Sequence, residues 1–244
     1  EKGHQAILID VVFGVEDSDF MDAFPDLYDV DEAVAYIHKF DKQLASAKAN
    51  RNRSFFGPNV IKLCKMADVV FMALHGEAGE NGKVQAAFDL LRIRYTGTSY
   101  ISSALCMDKS LSKIMLEAGG VPVPKGTSMT KGLDSVDISD IGLDFPVVVK
   151  VACGGSSVGV YIVTNQDAVR PAVEKCLGFG PDILVEQMIE GREFTCAVLQ
   201  DRALPSVEIV PKVDFYNYEN KYKAGATEEI CPGRCTPEVE KQMG

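Results

Sequence analysis

A lysine at the end of one β-branched run, and the glycine- and serine-rich segment just beyond it, are the residues of this chain best suited to chemistry. Residues 145–159 read FPVVVKVACGGSSVG, and Val160-Tyr161-Ile162-Val163-Thr164 follows at once. Two β-branched runs around a flexible segment read as a strand, a loop and a returning strand, with Lys150 carried at the end of the first strand. Glycines let backbone N–H groups approach an oxyanion, Ser156 and Ser157 add hydroxyl donors, and Lys150 supplies a cation aimed at the same place. Those parts suit a polyphosphate. The segment is not a Walker A loop, because Gly159 is followed by Val160 and a strand, not by Lys-Ser/Thr and a helix. It fails the dinucleotide fingerprint for the same reason. An ordinary glycine-rich hairpin with an exposed lysine fits the stretch equally.

The elements that must hold these residues come from an ordinary globular composition, 46% hydrophobic and 25% charged, so no part of the 244 residues reads as wholesale disorder. A net charge of −10 argues against a nucleic-acid surface, which needs a basic face to displace counterions, but leaves room for a few lysines in a cleft. Seven scattered cysteines give no disulfide framework and point to a reducing, cytoplasmic setting. Cys231 and Cys235 form a close pair without a second Cys/His pair at zinc spacing. No apolar run reaches about 18 residues, so no membrane role is expected.

In chain order, 5–12 reads as a strand, with Gly3 closing a preceding helix. Residues 16–32 hold eight carboxylates and no Lys or Arg; without calcium-loop spacing this is a solvated acidic loop. Asp31 then caps a helix whose apolar face runs Ala33, Ile37, Phe40, Leu44. The run 67–74 reads as a buried strand ending in His75-Gly76, with a helix through Val84 to Leu91 and then Tyr95-Thr96. This is a βαβ unit, and His75 sits where such sheets bind ligands; a loop histidine that merely bonds backbone fits as well. Residues 99–118 have helical spacing, with Ile101, Leu105, Leu111 and Met115 on one side and Lys109 either functional or a solvated charge. Gly119-Gly120 and Pro122 mark one boundary, and 178–181 a second after the helix 166–177. Strands follow at 183–187 and 193–199, with carboxylates where the chain turns between them. The aromatic and basic segment 214–225 reads as a lid, and 237–244 as the start of a helix.

Taken together, these segments resemble the D-alanine–D-alanine ligase family of the ATP-grasp superfamily. The matching pieces are Leu74-His75-Gly76 with 79–82, Tyr95-Thr96-Gly97, Met107-Asp108-Lys109 with Lys113, 120–124, Val149-Lys150, 155–159, 190–195, and Phe215-Tyr216-x-Tyr218-x-x-Lys221-Tyr222. The resemblance implies an α/β fold: an N-terminal open parallel-sheet (pre-ATP-grasp) domain plus an ATP-grasp fold of two α+β lobes, incomplete at both ends. The implied divisions are 1–98, 99–180 and 181–244. It implies two D-alanines joined at the expense of ATP through a D-alanyl phosphate, for peptidoglycan synthesis, in a cytoplasmic homodimer. A D-alanine–D-serine ligase of the vancomycin-resistance type and a non-catalytic nucleotide-binding fragment are the alternatives.

By the same resemblance Lys109 and Lys150 hold the α- and β-phosphates under the loop Gly155, Ser156, Ser157, Val158 and Gly159. Lys221 reaches the γ-phosphate, Tyr222 bonds Ser156 across the closed site, and His75 lies near the first D-alanine. Glu186, Gln187 and Ile189 line the adenine pocket, and Glu193 takes the ribose hydroxyls. Gln187 departs from the family pattern, where lysine is common. The family's N-terminal Gly-rich loop and its C-terminal Arg and Mg2+ ligands have no counterpart, so the ligands of magnesium are expected C-terminal to the 244 residues.

Overall fold

Along 147–151 every second side chain is sealed from solvent: Val147, Val149 and Val151 are buried, while Val148 and Lys150 between them are partly covered. A strand alternates faces with a period of two, so this run turns an apolar face to a core and a mixed face elsewhere. The computed structural model describes residues 3–16, 24–25, 29–41, 54–130, 137–212, 223 and 225–244. It divides into two units, Glu1–Leu74 with Val84–Ser99, and His75–Lys83 with Tyr100–Gly244. The described helices are α1 (Val30–Asp41), α2 (Val60–Met66), α3 (Glu77–Glu80), α4 (Lys83–Leu91), α5 (Tyr100–Met107), α6 (Lys109–Ala118), α7 (Val169–Leu177) and α8 (Pro237–Met243).

The second unit has a four-stranded sheet of β1 (Gly126–Thr130), β2 (Val147–Val151), β3 (Val160–Val163) and β4 (Asp182–Gln187), in the order β1-β4-β2-β3 with every neighbour antiparallel. β2 and β3 are the arms of the hairpin read from the sequence, with Lys150 opposite Val160. β4 follows the turn at 178–181, yet it hydrogen-bonds to β1 on one side and β2 on the other. The sealed face packs on α7, whose Val169, Ala172 and Cys176 recur one turn apart, as helical periodicity requires. Each fully buried valine contributes about 1.5–3 kcal/mol, and Val147, Val149 and Val185 are all buried there.

The same unit continues through β5 (Glu193–Thr195), β6 (Val198–Leu199), β7 (Arg202–Ala203), β8 (Val207–Pro211) and β9 (Thr227–Ile230). β5, β8 and β9 form an antiparallel sheet, and β6 pairs with β7. Glu208 on β8, 2% exposed, accepts from Arg192 at 3.4 Å and from the Arg234 side chain at 2.8 Å. The Arg234 guanidinium holds its carboxyl below the usual carboxylate range. Thr236 caps α8 and Pro237 opens it, so the helix read at 237–244 is present.

Several expectations change. Residues 99–118 form two helices, because Asp108 leaves helical geometry and its carboxylate accepts from the amides of Ser110 and Leu111 to start α6. Ile101, Leu111 and Met115 are exposed. In the first unit Asp29, not Asp31, caps α1: its carboxylate accepts from the Asp31 and Glu32 amides at 2.8 and 3.1 Å. The run 5–12 joins no ladder among the described residues. The Asp10 carboxylate accepts from the Val12 and Phe13 amides, closing the run into a turn at 11–13. The run 67–74 is covered on one face only. Val70, Met72 and Leu74 pack on the core of Val60, Cys64, Val84, Phe88 and Ile93, while Phe71 is 80% exposed. Val70 bridges Tyr95 in parallel with α4 between them, which is the βαβ connection. Leu44, most of the acidic stretch and most of the lid fall outside the described residues. No described helix is long and apolar enough to cross a membrane.

Candidate functional site

The mixed face of the four-stranded sheet forms the floor of a cleft of about 640 Å³. Because β2 and β3 are in antiparallel register, Val148 opposite Ile162 and Lys150 opposite Val160 share that face, and all four line the cleft. Glu186 lies opposite Val148 on the other flank and joins them. One wall is the loop of Gly155, Ser156, Ser157 and Val158, and the other is the chain from Gln187 through Ile189 to Glu193.

The loop wall is held in a special backbone shape. Ser156 and Ser157 have φ of 56° and 58°, the left-handed region, which costs about 1–2 kcal/mol for each non-glycine residue. Strain of this kind persists where a surrounding structure enforces it, and it concentrates at ligand clamps. The enforcement is visible: the Val158 amide donates to Gly155 O at 3.1 Å and the Val151 amide to Gly159 O at 3.1 Å. A side chain on Gly155 would meet nothing within 4 Å, so its backbone stands open to a ligand.

Lys109 lines the cleft from the first turn of α6. Asp108, the residue that breaks the helix, also forms an antiparallel bridge with Cys153, and the Lys109 amide donates to Ala152 O at 3.0 Å. The Lys109 ammonium donates to the carbonyl oxygens of Val151 and Ala152 at 3.3 Å and of Gly154 at 2.8 Å. Lys109 is therefore part of the hairpin's base and not a solvated charge. Burial lowers its pKa, and the neighbouring Lys150 lowers it further.

Glu186 is 5% exposed and lies between two lysines. Its Oε1 accepts from Lys150, and its Oε2 accepts from Lys113 at 2.8 Å; Lys113 also donates to Pro124 O. Glu186 thus stands inside β4, in the strand the sequence places at 183–187. Along the second wall the Gln187 amide donates to Lys125 O at 2.8 Å and the Met188 amide to Pro146 O at 3.3 Å.

Lys109, Lys150, Gly155, Ser156, Ser157, Val158, Glu186, Gln187, Ile189 and Glu193 meet in this one cleft. His75 is exposed, two residues before α3, and does not line it. Lys221 and Tyr222 lie outside the described residues. Val148, Ile162 and Met188 line the cleft without having been singled out; for Val148 the signal was its place two residues from Lys150. Among the described residues no group of three or more His, Cys, Asp or Glu gathers to hold a metal ion.

The family profile described as D-ala D-ala ligase N-terminus matches residues 10–98, and that described as D-ala D-ala ligase C-terminus matches residues 117–244. The D-alanine--D-alanine ligase of Lacticaseibacillus casei is 35% identical over 235 residues, covering 95% of this chain and 65% of its own length. That of Geobacter sulfurreducens is 41% identical over 176 residues, covering 72% and 55%. The chain thus spans just under two thirds of the first relative and just over half of the second. Among solved structures, a D-alanine--D-alanine ligase from Bacillus anthracis complexed with ATP aligns with TM-score 0.63 at 30% identity, over 75% of this chain and 58% of that one. The VanG D-Ala:D-Ser ligase from Enterococcus faecalis aligns with TM-score 0.64 at 32% identity, over 72% and 53%.

Proposed function

Because the chain belongs to the D-alanine–D-alanine ligase family and carries its ATP-grasp fold, we propose that the cleft binds ATP for the joining of two D-alanines through a D-alanyl phosphate. The observation that carries this reading is the meeting of two lysines and an open, strained Gly/Ser loop in one cleft whose other wall bears apolar side chains and carboxylates. The donor set fits a nucleotide. Lys109 and Lys150 face the phosphates, with amides and hydroxyls of 155–158 closing over them. The Gln187 and Met188 amides are engaged within the protein, so the backbone of Ile189 is the part of that wall that reads the base edge. Glu193 takes the ribose hydroxyls.

In this reading the first D-alanine carboxylate attacks the γ-phosphate, and the amine of the second attacks the resulting acyl phosphate. The chain's contribution is orientation and charge neutralisation. Orientation alone can supply about 7–11 kcal/mol, and a well-placed donor about 3–4. Lys221 toward the γ-phosphate, Tyr222 against Ser156 and His75 beside the first D-alanine complete the assignment. Magnesium serves phosphoryl transfer in this family, but the described residues gather no ligand set for it, so no step is assigned to it. A cytoplasmic homodimer feeding peptidoglycan synthesis, with the chain divided at 98 and 180, belongs to the same proposal.

The test is ATP binding by the chain and by Lys150→Ala, with mass spectrometry of products from ATP, magnesium, D-alanine and D-serine. ATP binding that Lys150→Ala weakens, with D-alanyl-D-alanine as product, supports the reading. An unchanged affinity in Lys150→Ala would sink the phosphate assignment. The similarity to the D-Ala:D-Ser ligase motivates the second reading, which D-alanyl-D-serine as the main product would favour.

A further inference from the structure

One buried carboxylate serves two ammonium groups that sit differently with respect to the cleft. Lys150 lines it; Lys113 does not. Lys113 stands one turn beyond Lys109 on α6, so the two lysines share a face of the helix. Lys109 is directed to the hairpin carbonyls and Lys113 to Glu186 and Pro124 O. The Glu186 side chain is 7% exposed and those of Lys113 and Lys150 are 17% and 20% exposed, so the three charges interact with little water between them.

This arrangement sets a conflict for an anionic ligand. Lys150 has to neutralise phosphate, yet it is already paired with Glu186. Turning Lys150 to a phosphate would leave Glu186 buried without that cation, and an unpaired buried charge is strongly disfavoured. We propose that Lys113 is a positioning residue that keeps Glu186 neutralised while Lys150 exchanges its carboxylate partner for the nucleotide phosphates. This inference rests on the nucleotide reading of the cleft. The charges balance across the exchange. Before it, Glu186 is shared by Lys113 and Lys150; after it, Lys113 and Glu186 form a neutral pair, and Lys150 joins Lys109 as an uncompensated cation on the ligand. No bond is made or broken. Lys113 also fixes where Glu186 stands, because its second donation to Pro124 O ties the ammonium to the chain just before β1.

The experiment is a double-mutant cycle read by equilibrium binding of inorganic tripolyphosphate and of ATP, the first probe having no base or ribose. Lys113→Met is expected to weaken both ligands at least about tenfold where Glu186 is present. In the Glu186→Gln background, with no carboxylate to strand, the same substitution is expected to change affinity by less than about twofold. Lys113→Arg, which keeps the cation, is expected to restore binding to within about threefold. Equal losses in both backgrounds would mean that Lys113 acts only as a distant charge, and would overturn the exchange; so would a Lys113→Met protein that binds as tightly as the parent. If Lys113→Met does not fold, the comparison of Glu186→Gln with the double variant decides alone: matched affinities support the exchange and a large loss overturns it. A parent chain that binds neither ligand overturns the nucleotide reading itself, whereas a parent that binds while Lys113→Met is unaffected overturns this inference only.

Discussion

The ammonium of Lys109 donates to the carbonyl oxygen of Gly154 at 2.8 Å across 45 residues of sequence, joining the first turn of α6 to the mouth of the hairpin loop. Burial and the nearby Lys150 lower the Lys109 pKa below the ordinary lysine value of 10.5. The cation is lost as pH rises through the depressed value, before an exposed lysine would lose its proton. A phosphate bound beside it favours the charged form, so binding at alkaline pH takes up a proton. ATP affinity is therefore expected to decline on the alkaline side at a pH below 10.5. Arginine stays charged there, so Lys109→Arg is expected to remove the decline. Isothermal titration in buffers of different ionisation enthalpy reads both the affinity and the proton; a decline that persists unchanged in Lys109→Arg would assign it elsewhere.

Gly126 offers a test of the sheet beneath the cleft. It lies opposite Glu186, and a Cβ there would come 2.5 Å from Val185 O and 2.7 Å from the Glu186 Cβ. Both obstacles belong to β4, whose backbone is held on its far side by β2. Gly126→Ala is expected to destabilise the protein by about 1–3 kcal/mol, the usual effect of overpacking. It should also weaken ATP binding, since the displaced atoms carry Glu186. Chemical denaturation and an ATP titration on the same variant check the two halves. A variant with parental stability would show that β1 moves aside freely.

The two left-handed serines separate strain from contact. Ser157→Gly relieves the backbone at φ 58° and removes one hydroxyl donor. Relief of strain and the greater freedom of unfolded glycine oppose each other, so stability is expected to stay within about 1 kcal/mol of the parent. Affinity for ATP is expected to fall by about tenfold for the lost hydrogen bond to an anion. Ser157→Val keeps a side chain that this backbone disfavours and is expected to lose about 1–3 kcal/mol of stability as well. Thermal melts with and without ATP distinguish the cases.

Acid should act on the second sheet through Glu208. Its folded pKa lies below the ordinary 4.5, chiefly through the hydrogen bond from Arg234. A carboxyl with a depressed folded pKa stabilises the protein fully above its unfolded value, and that stabilisation is lost as pH falls through the folded one. Stability is thus expected to drop on acidification below 4.5, with a shallower drop in Glu208→Gln. Urea midpoints measured across that range give the comparison; parallel slopes would remove Glu208 from the account.

What the sequence revealed was local. The β2–β3 hairpin was legible because two β-branched runs around a Gly/Ser loop encode it within twenty residues, and α8 because the helix start at Pro237 is local to 237–244. Two misreadings concern carboxylates close to the right place: Asp29 caps α1 two residues before the expected Asp31, and Asp108 splits a helical run whose apolar spacing looked continuous. The run 67–74 misled for another reason. A short apolar string reads alike whether one or both faces are covered, and only the packed unit shows Phe71 exposed. β1 had no signal of its own, because Gly126-Thr-Ser-Met-Thr130 becomes a strand by pairing with β4. Glu186 was picked out for a pocket, but its two lysines lie 73 and 36 residues away, and a pairing at that range leaves no mark in spacing.

The Asp108–Cys153 bridge gives the molecule an unusual pivot. A single residue starts α6 and also holds the hairpin, and the next residue reaches past it to Gly154. Helix and strand are clasped together up to that point, so the base of the hairpin cannot shift without unseating the start of the helix. Beyond it Ser156, Ser157 and Val158 stand between two glycines, Gly155 where an added Cβ would meet nothing within 4 Å and Gly159 at φ 69°, so the ligand-facing part of the loop is three residues long.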